Sequence, residues 1–152
     1  MATRERNRYC LCHLVAEKYE PALFKPEHIL FAFRQSLLSQ WGELALATFG
    51  TNSKIVVSSA GITGFFVIRF PSKAQSECLL ALSLIMSISS RPVTVRCVQI
   101  SGRLKNIVKV ASEKLLEWRN NLTPEYAIPR KEFLDRQLRE LLKELHSLPD
   151  YV

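Results

Sequence analysis

The sequence predicts an α+β fold: a ferredoxin-like β-α-β-β-α-β sandwich of RRM-like topology with two additional C-terminal helices. Three observations predict it. Short β-rich apolar runs fall in segments 8–17, 65–70 and 92–100. Apolar residues recur with a helical period in segments 26–42, 103–120 and 130–147. Glycine and proline mark most of the boundaries between these segments. At 152 residues the chain has the size of one domain, long enough to bury a core without a disulfide framework.

Each element has its own signal. In segment 8–17, Tyr9, Leu11, His13 and Val15 share one face and Cys10, Cys12 and Leu14 the other. Both faces are largely apolar, the mark of a central strand. Pro26 suits a first helical position, with Glu27 in the first turn. Ile29, Leu30, Phe33, Leu37, Leu38 and Trp41 follow at helical spacing, and Gly42 ends the helix. Segments 44–49 and 55–59 read as one long strand region, broken at Gly50-Thr51-Asn52-Ser53 by a bulge or a turn. After a turn between Gly61 and Gly64, segment 65–70 reads as a second central strand stopped by Pro71. Ser72 can cap a helix reaching to about Ser89, with Cys78, Leu79, Leu82, Ile85 and Met86 inward. Pro92 opens a strand in which Val93, Val95, Cys97 and Gln99 alternate with Thr94, Arg96, Val98 and Ile100, until Gly102 ends it.

Two helices would cover one face of this sheet. The strands are apolar on both sides, so the opposite face also needs a cover. Segment 103–120 carries Leu104, Ile107, Val108, Ala111, Leu115 and Trp118 on one side, and Lys105, Lys109 and Ser112 on another. Beyond Pro124 and Pro129, segment 130–147 places Phe133, Leu134, Leu138, Leu141, Leu142 and Leu145 at helical spacing. Its polar side pairs opposite charges four apart, such as Glu132 with Arg136. The organisation expected is a basic N-terminal arm at 1–7, a ferredoxin-like domain at 8–120, and a linker with a C-terminal amphipathic helix at 121–152.

Charge points to a partner. Lys plus Arg number 21 against 14 acids, a net charge of +7. No acid lies between Glu77 and Glu113, a stretch that holds Arg91, Arg96, Arg103, Lys105 and Lys109. Such a segment makes a positive surface that attracts polyanions. Catalytic patterns are missing. His13, His28 and His146 have no nearby ligand set, and Cys10, Cys12, Cys78 and Cys97 lack both metal spacing and a dense secreted pattern. They read as reduced structural thiols. There is no Gly-rich phosphate loop, Gly-x-Ser-x-Gly elbow or pair of catalytic carboxylates. No catalytic residue, metal or cofactor is therefore expected. The longest apolar stretch, around 79–88, is too short for a bilayer and no secretory signal is visible, so a soluble intracellular protein is expected. Segment 63–70 is similar to the aromatic strand of an RNA-recognition motif, but one residue out of spacing. Phe65, Phe66 and Phe70 are read as core.

Four pieces, in order, resemble the Pop-five family of RNase P and RNase MRP protein subunits. They are Arg8-Tyr9-Cys10-Leu11-Cys12-His13-Leu14, then Thr63-Gly64 opening a strand that ends near Arg69. The apolar second helix follows, leading to Arg91-Pro92-Val93-Thr94-Val95-Arg96, and then Val98-Gln99-Ile100-Ser101-Gly102-Arg103-Leu104-Lys105. His13 stands where relatives often have an acid, and Arg103 where a β-branched residue is usual. The related Rpp-fourteen subunits are therefore part of the resemblance. It implies a noncatalytic, RNA-binding subunit of a ribonucleoprotein endoribonuclease whose RNA is the catalyst. It further implies a barrel-fold partner of the Rpp-thirty or Rpp-one type, other RNase P/MRP proteins, and a nuclear and nucleolar location in a eukaryote, cytoplasmic otherwise. The product would be the 5′ end of tRNA, or processed ribosomal RNA precursor.

The residues expected to bind RNA are Arg4, Arg6, Arg8, Arg96, Ser101, Gly102, Arg103, Lys105 and Lys109. Ser101-Gly102 hands a strand over to a helix, whose first N–H groups can hold a phosphate; Arg4, Arg6 and Arg8 would form a basic arm. Two other function classes remain open on sequence: a protein-interaction module without RNA, and a small acylphosphatase-like hydrolase, which the missing phosphate loop disfavours.

Overall fold

The computed structural model describes residues 6–121 and 131–148. In chain order it contains β1 (Asn7–Ala16), α1 (Pro26–Trp41), a one-turn α2 (Glu43–Ala45) running into a π-helical turn (Leu46–Gly50), β2 (Lys54–Ser58) and β3 (Phe65–Pro71). A 3-10 turn (Ser72–Ala74), α3 (Gln75–Ser83), β4 (Ser87–Ile88), β5 (Arg91–Ser101), α4 (Leu104–Asn120) and α5 (Lys131–Ser147) follow. The strands form one antiparallel sheet in the order β2-β3-β1-β5-β4. The expected α+β class is what the structure shows.

Both faces of the sheet are cores. On one, Cys10, Cys12 and Leu14 of β1 and Phe66, Ile68 and Phe70 of β3 pack against Ile29, Phe33 and Leu37 of α1 and Cys78, Ala81 and Leu82 of α3. On the other, Tyr9, Leu11, Val57 and Val67 pack against Leu104, Ile107, Val108, Ala111 and Leu115 of α4, and Leu138 and Leu145 of α5 join them. The cover needed by the second face is thus the chain's own helices. Phe66 and Phe70 are fully buried, as the core reading of that aromatic run expects. Phe133 and Leu134 carry side chains outside the described ones.

The structure departs from expectation in three places. Segment 44–49 is helical, not β. Its Leu44-Ala45-Leu46-Ala47 is a short apolar run whose periodicity does not separate strand from helix, and all four are good helix formers. The second long helix starts at Gln75 without the side-chain cap expected from Ser72, which lies in the preceding 3-10 turn, and ends at Ser83 rather than near Ser89, because the chain turns back into the β4–β5 hairpin. Met86, expected inward, is 82% exposed. That hairpin turns through Ser89 (φ 52°) and Ser90 (φ 64°), two consecutive left-handed residues, with Ser89 Oγ donating to the Leu23 carbonyl at 2.6 Å. The third departure is in β5. Cys12 pairs Cys97 but Leu11 pairs Gln99, so Val98 is a bulge. The alternation breaks there. Ile100 packs into the same core as Val93 and Val95 instead of on the opposite face, and Gln99 is exposed.

Gly61 and Gly64 are turn glycines with distinct reasons. A Cβ at Gly61 would run into the backbone of Pro21. Gly64 has φ +85°, its carbonyl accepts the Leu14 N–H at 2.7 Å, and a Cβ there would strike the Leu14 carbonyl oxygen and the His13 ring.

Candidate nucleic-acid interface

The passage from β5 to α4 gathers most of the expected site. Ser101 Oγ accepts the Arg103 backbone N–H at 3.1 Å and the Asn106 side-chain N–H at 3.2 Å. The Asn106 backbone N–H reaches the Arg103 carbonyl at 3.2 Å, tightening the first turn. Ser101 therefore shapes the helix start, and Asn106, which sequence reading missed, locks it. Only its position on α4, five residues on, could have hinted at that. Leu104 is buried in the second core and fastens the turn to the sheet.

Arg8 joins this turn from another strand. A Cβ on Gly102 would lie 2.5 Å from Arg8 Nη1, so the guanidinium occupies the space that only glycine leaves open. Arg103, Lys105 and Lys109 are exposed, and Lys105 and Lys109 stand one turn apart on α4. Among the described residues, none of Arg8, Arg103, Lys105 and Lys109 is in an ion pair. The arrangement is a cationic end of the sheet: a flat guanidinium, a hydroxyl, a helix start and three solvated cations. Such a set attracts phosphate through charge and carries no acid–base pair for bond cleavage.

Other expected residues lie elsewhere. Arg96 pairs with His13, five residues before Ser101 on β5, roughly 16 Å along the strand. Arg6 is exposed, and its carbonyl accepts the Ser72 N–H at 2.8 Å, so the chain is tied to the end of β3 by residue 6 and β1 begins at Asn7. Arg4 lies outside the described residues.

The His28 ring accepts the Lys25 backbone N–H at 3.3 Å, at the start of α1. Cys10 Sγ lies 3.0 Å from Cys97 Sγ and 3.6 Å from Cys12 Sγ. The Cys12 contact pushes the Cys10 thiol up, with Cys97 opposing and burial adding to it; the Cys10 contact and then burial push Cys97 up. Burial, with Glu77 nearby, raises Cys78 to about 12. Thiols held this far above neutrality are poor nucleophiles and poor metal ligands. Among the described residues no cluster of His, Cys, Asp or Glu could hold a metal ion, and no helix is long and apolar enough to cross a membrane. A cavity of about 160 Å³ between the β2–β3 turn and α5 is lined by Glu140 and Glu144, the wrong sign for phosphate.

His13 stacks on Phe65 with ring centroids 4.5 Å apart. Burial holds its imidazole below the ordinary 6.5; a backbone hydrogen bond at Thr63 opposes this and Arg96 adds repulsion. As pH falls, the unfolded chain takes up this proton before the folded one. Stability should therefore be complete above the ordinary value and decline as pH drops through it. His13→Gln should flatten the decline, as read from denaturant midpoints between about pH 5 and 8. An unchanged pH dependence would assign the effect to another group.

What these features define is a small basic α+β protein with a two-sided core and a cationic end of its sheet. The match to a known family places it further. Residues 8–112 match the family model described as the Rpp14/Pop5 family, more than half the chain, and the protein belongs to that family. A solved structure described as the cryo-EM structure of yeast Ribonuclease MRP contains a chain with the same fold. It is 14% identical, with a TM-score of 0.50, over 77% of this chain and 97% of that one. No curated protein matches the sequence.

Proposed function

We propose that this protein is a noncatalytic RNA-binding subunit of RNase P, RNase MRP or both. It would brace the catalytic RNA during tRNA 5′-end maturation and ribosomal RNA precursor processing. Family membership supplies the assembly; the observation that supports RNA contact is the joining of Arg8, Ser101, Gly102, Arg103 and Lys105 at one unneutralised end of the sheet. We read the sheet as ferredoxin-like, with β4 added at its edge as a short hairpin arm. A protein partner, of the barrel-fold type implied by the family, suits the exposed Phe31, Leu84 and Met86 around the groove between α1 and the β4 hairpin. The assembly would be nuclear and nucleolar in a eukaryote.

The test is affinity for the catalytic-domain RNA across a salt series, with Arg103, Lys105 and Lys109 changed singly to Ala. Each lost phosphate contact should lower the salt slope by about 0.7–0.9 in log K per log salt. The loss should be the same for RNAs of one fold and different sequence, since phosphates carry no sequence information. Arg136, exposed on the charge-balanced α5, is the control. Unchanged slopes at α4 with a changed slope at Arg136 would put the RNA on the wrong side of the protein.

A further inference from the structure

Directly paired residues of neighbouring strands share a face. Lys54 of β2 pairs with Arg69 of β3, Arg69 with Tyr9 of β1, and Tyr9 with Ser101 of β5. These four residues form one row across the sheet, all on the face that α4 covers. Its β5 end is the Ser101–Gly102 turn described above, the first phosphate site of the proposed RNA interface. Its far end carries two cations, Lys54 and Arg69, both half-buried. Arg69 Nη2 reaches the Asn52 carbonyl at 3.5 Å, which holds the guanidinium at the sheet's end. Lys54 has no ion pair among the described residues. Between the two ends Tyr9 is buried, 1% exposed, and fills the middle of the row as packing rather than as a charge.

From Lys54 to Ser101 the row crosses three strand spacings, roughly 14 Å. That is too far for one phosphate and short enough for successive phosphates of one RNA strand. Nothing in linear order connects the two ends, since Lys54 and Ser101 lie in different strand pairs and meet only through register.

We propose that the RNA backbone is held at two points. It would cross the end of the sheet from the start of α4 to β2, where Lys54 and Arg69 form a second phosphate-binding site. This rests on the RNA-binding reading above and assigns it a path. A grip at two separated points fixes the direction of an RNA strand, which a single cationic patch does not do.

The experiment uses the full chain and transcribed catalytic-domain RNA of RNase P, with three readouts: salt slope, melting temperature, and protection of lysine amines from acylation in the complex. Lys54→Ala is the main variant. Arg69→Gln is the second, interpreted only if its melting temperature matches the parent, because Arg69 is half-buried. Arg103→Ala reports the first site. Lys18→Ala is the control, an exposed lysine near Glu20 beyond the other end of β1. The expected result is that Lys54→Ala lowers the slope by about 0.7–0.9, as Arg103→Ala does, that RNA protects the Lys54 amine, and that Lys18 changes nothing. A slope lowered by Arg103→Ala but not by Lys54→Ala, with Lys54 still acylated in the complex, overturns the second site and leaves the RNA-binding reading intact. If neither variant lowers the slope, both fall.

Discussion

Ile107→Asp should detach α4 from the sheet. Ile107 is fully buried and sits in the core formed with Tyr9, Leu11 and Val67. Truncation to Ala would cost about 2–5 kcal/mol from lost transfer energy and the cavity left behind. Aspartate adds an unpaired carboxylate in an apolar contact, a larger penalty that the chain relieves by moving the helix away. The strands are apolar on both sides, so the freed face would present buried side chains to water. Chemical denaturation should show a loss beyond that of Ile107→Ala. Dye binding and size-exclusion chromatography should show exposed apolar surface and self-association, while α1 and α3 still protect the first core. A stable monomer with no dye binding would mean that α4 is an accessory to the sheet rather than its second cover.

Gly64→Ala should be nearly as damaging, for a different reason. At φ +85° an alanine is strained, by about 1–3 kcal/mol. The added methyl also meets the Leu14 carbonyl oxygen and the His13 ring. Relief requires the turn to move, which breaks the 2.7 Å hydrogen bond from the Leu14 N–H to the Gly64 carbonyl and loosens the contact of β3 with β1. A loss of about 3 kcal/mol or more is expected, measured as a shifted urea midpoint with an unchanged slope. Gly42 is the internal comparison. It shares the positive φ, but nothing lies within 4 Å of its would-be Cβ, so Gly42→Ala should show the backbone penalty alone.

Much of the architecture was legible because it rests on local periodicity. The two-sided apolar pattern of β1, the helical spacing from Pro26, and the stripe of Leu104, Ile107, Val108, Ala111 and Leu115 are each readable within one segment. The need for a cover on the second face followed from the strands, and α4 and α5 supply it. What failed was short or depended on remote contacts. Leu44 to Phe49 could wind or extend with equal local logic. The β4 hairpin hid because Ser89-Ser90 takes a conformation normally signalled by Asn-Gly. The same division holds at the candidate site. Ser101, Gly102, Arg103, Lys105 and Lys109 form a sequence-local cluster, legible within nine residues. Arg8 over Gly102, Asn106 on Ser101, and the row through Arg69 to Lys54 are products of register and of a turn's detailed shape, which one segment does not encode alone.

The bulge at Val98 makes the length of β5 a phase setting. Before it, Val93 and Val95 face α1 and α3; after it, Ser101 lies level with Tyr9 on the side of α4. In an unbroken strand of the same composition, Ser101 would keep step with Val93 and Val95 and turn its hydroxyl to the opposite side. Gly102 would swing out from under Arg8. Every side chain needed at the turn would be present, and the turn would be assembled inside out. Between Arg96 and Gly102 the count of residues therefore carries more information than their identities: a changed letter alters one contact, whereas a single insertion or deletion inverts the whole terminus of the strand.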